Sequence, residues 1–203
     1  MNEKITLPLA IFPTEVLQRL GYSPNQAVMK KVRDLLMESM DLARELAHPE
    51  AVLLTFPLNR SALSFSLQGT DVTVRIPELV EWSQNCTEIS VFAVSLGPEL
   101  SDRVQAFEAE GSLNRAEVLA EVGIDALLQA AHLLHEKIMM EGIQAGFQIT
   151  HPAFAPESAE GDALYAQLLQ LTDAPAAFGF TGERSDRLNM QNILCGFIGR
   201  FPF

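Results

Sequence analysis

One segment constrains this chain more than any other. From Asn114 to Gly142 it reads "NRAEVLAEVGIDALLQAAHLLHEKIMMEG", without a proline and with apolar residues at Val118, Leu119, Val122, Leu127, Leu128, Ala131, Leu134 and Ile138. These positions run around much of a helix's circumference instead of marking one stripe, so the helix belongs in the middle of a fold. Asn114 and Glu117 have the spacing of a capping box at its start.

The segments on either side must cover that helix. "FPTEVLQRLGY" predicts a short helix with Thr14 as its cap and Gly21 at its stop. "SPNQAVMKKVRDLLMESMDLARELAHPE" predicts a long one through Val28, Val32, Leu35, Leu36 and Met40, ended by Pro49. Three short strands follow in "AVLLTF", "ALSFSL" and "VTVRI", the last two joined by the turn "QGTD". Pro77 opens the small helix "PELVEWSQ". "EISVFAVSL" is too apolar and β-branched for an outer strand and is expected at the centre of a sheet. "GPEL" then starts a helix of about three turns. Beyond the long helix come the helix "GDALYAQLLQLTD", the piece "AAFGFTGE" and an apolar terminal run "ILCGFIGRF".

The strands cluster rather than alternate strictly with helices, which predicts an α+β fold with an antiparallel or mixed sheet. With 203 residues, the chain has room for one sizeable core and little for a second. A single domain spanning 1–203 is expected.

Charge narrows the partners. The formal net charge of −12 repels phosphate backbones and anionic headgroups, so neither nucleic acid nor membrane is expected. Between Pro98 and Glu160 eleven Asp or Glu face three Lys or Arg. That excess reads as a solvated helical face, or as a patch for a basic partner. Cys86 and Cys195 form no C-x-x-C pattern, and "MNEKITLPLAIFP" is neither a signal peptide nor a span. A cytoplasmic location is expected.

Motifs for chemistry are sparse. His132 and His135 are three apart, whereas a zinc-protease helix needs histidines four apart around a Glu, so no metal site is predicted. "GFTGER" lacks the lysine and hydroxyl of a phosphate loop, and no serine sits in a G-x-S-x-G context. Cys86 has no recognisable histidine partner. No catalytic residue is predicted.

The order of these pieces nevertheless resembles a known family. "LGY", then "VFAVSLGPEL", then the helix "AEVLAEVGIDALLQAAHLLHEKI", then "HPAFAPES…ALYAQLLQL" and "GFTGERSDRLNMQNILCGFIG" follow a familiar sequence of features. It is that of the AdoMet-binding activation domain of vitamin B12-dependent methionine synthase, with its short stand-alone members. The resemblance implies a curved sheet with a long central helix. It also implies two cofactors, S-adenosylmethionine (AdoMet) and a corrinoid carried by a partner, such as a corrinoid-dependent methyltransferase.

The same resemblance exposes a deficit. The family meets the AdoMet carboxylate with the Arg of an R-x-x-x-G-Y loop and places a Glu on the central helix. Aligned on Pro152, the Arg position here is Ile149, the Gly is Ala153 and the Tyr is Phe154; aligned on Gly123, the Glu position is Leu128. A bidentate Arg fork is the natural receptor for a carboxylate, and no Arg lies between Arg115 and Arg184. AdoMet binding is therefore expected to be weak or lost, with His151, Pro152 and Phe154 as the remaining cleft candidates. Three uses of such a cleft stand open. The first is an accessory or reactivation-associated role beside a corrinoid protein, without independent catalysis. The second is binding of a less polar small molecule with His151, Tyr165 and Thr181 as polar groups. The third is AdoMet held by other contacts, such as backbone groups.

Overall fold

The computed structural model describes residues 3–180 and 193–203, apart from the side chain of Glu3. Thr181 and Arg184, and with them most of "GFTGER", lie outside the described residues.

The long apolar segment is a helix, α5, spanning Leu113–Gln144. Val118, Leu119, Val122, Leu127, Ala131, Leu134 and Ile138 are buried along it, while Leu128 is 37% exposed. By length and composition α5 passes the test for a membrane span, but most of its apolar window is buried inside the fold. It is the core helix. Its start departs from the expected capping box. Ser112 is the cap residue, with no side-chain cap bond, and its carbonyl accepts from the N–H groups of Arg115 and Ala116.

A sheet supports α5. Its strands are β1 (Glu3–Thr6), β2 (Glu50–Arg60), β3 (Phe65–Leu67), β4 (Thr73–Val74), β5 (Glu88–Ser95), β6 (Phe147–Ile149) and β7 (Ile193–Pro202). They run in the order β4-β3-β2-β5-β7-β6, with β1 also paired to β2. All these pairings are antiparallel. As "EISVFAVSL" predicts, β5 is central: Val94 faces Ala51 of β2 on one side and Leu194 of β7 on the other.

Two apolar clusters occupy the two faces of this sheet. Phe92 and Val94 of β5 pack in one cluster with α5 and with α2 (Lys30–Leu46). Ile89, Val91 and Ala93 pack in the other with α6 (Ala159–Thr172). Alternate residues of one strand thus serve opposite cores, as the two-residue period of a strand requires. This is why β5 carries no polar face. Every residue from Ile89 to Ser95 is buried.

Smaller elements depart from the predicted boundaries for local reasons. Helix α1 spans Pro13–Arg19 and is capped by Phe12, not Thr14. Pro13 fits the first helical position, where no N–H partner is required, and this moves the cap back to Phe12. Helix α2 begins at Lys30, so Val28 precedes it, and it ends at Leu46, before Pro49. β2 runs past Pro57, whose carbonyl accepts from the Gln68 N–H as the strand turns to pair with β3. The "QGTD" turn joins β3 to β4 as expected, with Gly69 at φ 79°. Helix α3 (Pro77–Trp82) ends under Arg60, whose guanidinium donates to the carbonyls of Ser83, Gln84 and Cys86. Helix α4 (Pro98–Ala109) gives the expected three turns, and the short helix α7 (Ala174–Ala177) follows α6.

Candidate functional site

The loop from Ile149 to Ser158 is tied to the outer edge of β7. After β6 ends, the Thr150 N–H donates to the Gly199 carbonyl at 3.0 Å, and the Gly199 N–H donates to Thr150 Oγ1 at 2.8 Å. Ala153 and Phe197 then exchange a reciprocal pair of main-chain bonds at 2.9 and 2.8 Å. Pro152 lies between these two attachments, where a residue without a donor leaves no bond unmade.

Side chains finish the attachment. Trp82 Nε1 donates to the His151 carbonyl at 3.2 Å. His135 Nε2 lies 2.9 Å from the Thr150 carbonyl and therefore carries a hydrogen. The His135 and His151 rings stand 6.0 Å apart. The Phe154 ring meets Phe92 edge to face at 6.0 Å and remains 42% exposed. This approach needs Gly196, because a Cβ there would come within 2.9 Å of the Phe154 and Phe92 rings and 2.8 Å of the Ala153 carbonyl.

Helix α6 starts at Ala159, two residues before the expected Gly161, with Ser158 as its cap. Ser158 Oγ accepts from the Gly161 N–H at 3.1 Å. Gly161 itself is packed under the loop, since a Cβ there would meet the Pro156 carbonyl oxygen at 1.8 Å. The loop is bonded at both ends and packed along its length.

The predicted cleft residues divide. His151, Pro152 and Phe154 share this edge. Tyr165 does not join them as a free polar group: its hydroxyl donates to the Ile193 carbonyl, and its ring packs against the cluster on the α6 side. Burial also pushes its ionisation well above the ordinary range, with the nearby Cys195 adding to the effect. Thr181 lies outside the described residues. His132 faces solvent beside Glu136, whereas His135 is buried. Among the described residues no group of three His, Cys, Asp or Glu side chains is placed to hold a metal.

Ile149 Cδ1 closes over Gly142 of α5, 2.5 Å from where a Cβ would stand. Sequence reasoning missed what lies across from it. Arg200 of β7 is the register partner of Ile149 on one side and of Glu88 on the other. Directly opposed residues project to the same face of a sheet. By alternation this is the face of Leu194 and Ile198, which α5 covers. Arg200 Nε is buried without a hydrogen-bond partner. An arginine thus stands across the strand pair from Ile149, supplied from a strand much later in the chain. No spacing rule would have found it.

No protein-family model matches this sequence, and no curated protein matches it. The likeness appears in three dimensions. The antiparallel open sheet with its long central helix is the fold of the methionine synthase reactivation domain. The solved structure described as "Crystal Structure of the MetH Reactivation Domain bound to AdoHcy" matches all of this chain and 79% of its own, with a TM-score of 0.67 and 16% identity.

Proposed function

We propose that this chain is an accessory module that docks against a corrinoid-carrying protein and does not hold AdoMet through the family's ion pairs. One observation carries the reading: the loop from Ile149 to Phe154 is bonded to β7 at Thr150 and Ala153 while the positions that would bear charge hold Ile149 and Leu128. Ile149 and Leu128 offer no partner to the charges of a zwitterionic sulfonium compound, and a charge desolvated without a partner costs several kcal/mol. These two positions do not fit AdoMet. Ile149 is packed on Gly142 of α5, and Leu128 fits contact with another apolar surface: Phe154, Ile124 and Leu128 present 42, 37 and 37% of their area to solvent.

The corrinoid context is taken from the fold. The reacting atoms would belong to the partner's cofactor, and this chain would contribute position and shape. The free thiols of Cys86 and Cys195 accord with a reducing compartment, and we place the protein in the cytoplasm.

A titration with a cobalamin-loaded methyltransferase, followed by sedimentation, tests the reading. A complex at micromolar concentration is expected, and its absence at high micromolar concentration overturns it. Calorimetry with AdoMet is the companion measurement. Binding tighter than about 100 μM, roughly −5.5 kcal/mol, would also overturn it.

Arg200 favours a second reading, in which the same cleft takes a small molecule with an anionic head. Binding of a carboxylate or phosphate metabolite that disappears in Arg200→Ala, together with no corrinoid-protein complex, would put this reading first.

A further inference from the structure

A hollow lies between α4 and α5. Leu96, Leu100 and Val104 line one side and Ala120, Gly123 and Leu127 the other. None of His151, Pro152 and Phe154 borders it. Its free volume is about 80 Å³, on a measure by which one water needs roughly 10–15 Å³. The two helices touch where a Cβ on Gly123 would stand 3.0 Å from Leu100 Cδ2, so bare α5 backbone forms part of the wall.

One group in this apolar wall is out of place. Ser101 lines the pocket, and its Oγ is buried with no hydrogen-bond partner. Buried hydroxyls in folded proteins are nearly always bonded, because desolvation without compensation is costly. Gln105 and Glu108 also line the pocket, four and seven residues further along α4, and this spacing places them on the face of Ser101. The pocket therefore has an apolar body with one polar stripe.

We propose that this pocket binds a small apolar molecule carrying a neutral hydroxyl group. Its ring or chain lies against Leu100, Val104 and Leu127, and its hydroxyl bonds Ser101 Oγ once a turn about χ1 brings that atom from its inaccessible position to the hollow. A serine hydroxyl both donates and accepts, so it matches a neutral hydroxyl in either sense. An anionic head would find no counter-charge there, since the one charged side chain on the lining is the carboxylate of Glu108. Few convergent polar groups in an otherwise apolar hollow is the usual composition of a small-molecule site.

Amide NMR titration of the full chain with benzyl alcohol and toluene as probes tests this. Saturable shifts confined to 96–108 and 120–127 are expected for both, with benzyl alcohol binding several-fold more tightly. Ser101→Ala is expected to erase that preference while leaving toluene binding unchanged. Ala120→Leu, which fills the pocket, is expected to abolish both. No saturable shift with either probe, shifts centred on 150–154, or a preference that survives Ser101→Ala would each overturn the proposal. If Ala120→Leu does not fold, the Ser101→Ala comparison decides alone.

Discussion

The carboxylate of Asp125 accepts a hydrogen bond of 2.8 Å from the main-chain N–H of Phe12, 113 residues earlier in the chain. Asp125 is 1% exposed and sits in the middle of α5, while Phe12 caps α1. The bond fastens the N-terminal helix to the core helix. Asp125→Ala leaves the Phe12 N–H without its partner, and a loss of about 1–3 kcal/mol is expected. Asp125→Asn keeps an acceptor oxygen and is expected to lose less. Urea denaturation of the two variants measures the difference.

Gly196 is expected to govern the loop more than the fold. In Gly196→Ala the new methyl group meets the Ala153 carbonyl and the rings of Phe154 and Phe92, and a cost of about 1–3 kcal/mol is expected. Trp82, the chain's one tryptophan, donates to the His151 carbonyl. A red shift of its fluorescence and faster hydrogen exchange at Ala153 are therefore expected. Unchanged emission and exchange would show that the loop does not depend on this contact.

Gly161→Ala is expected to be more severe for its size. The added Cβ would fall 1.8 Å from the Pro156 carbonyl oxygen, which is backbone and cannot rotate aside. About 3 kcal/mol of destabilisation is expected, the upper part of the usual overpacking range. A thermal melt compared with Gly179→Ala separates overlap from backbone strain, because Gly179 has φ 78° and open space around it.

Stability is expected to fall as the solution becomes alkaline. Burial raises the ionisation of both Cys195 and Cys86 above their ordinary value of 9.0, with Arg60 partly opposing the effect at Cys86. Below the unfolded-state value both states hold the proton, and the contribution of these thiols is fully present. Above it the unfolded chain releases protons that the folded chain keeps, and stability is lost as pH rises. Unfolding midpoints between about pH 8 and pH 10.5 are expected to fall less steeply in Cys195→Ala than in the parent chain. Identical slopes would exclude Cys195 as a contributor.

Restoring charge at the two aliphatic positions tests the link between loop and cofactor. Ile149→Arg combined with Leu128→Glu is expected to tighten AdoMet binding at least tenfold, about 1.4 kcal/mol, as read by calorimetry. An unchanged affinity would mean that the hollow differs from its family counterpart in more than these two contacts.

The sequence by itself determined the elements whose burial is written along one segment. The apolar circumference of α5 and the unbroken run of β5 have no stable place except the interior, and the structure puts both there. The clustering of strands implied an antiparallel or mixed sheet, and the order of the pieces was enough to suggest the fold. Cap positions were less legible. Phe12 and Ser112 cap through main-chain carbonyls, which leave no mark on side-chain identity.

Tertiary structure alone decided the site. The Asp125–Phe12 bond, the cross-strand placement of Arg200 beside Ile149 and the commitment of Tyr165 to Ile193 join residues far apart in sequence. Periodicity reports which way a side chain faces within its own element. It carries no information about strand register or about which distant element arrives opposite, because those follow from how the two cores pack against the sheet.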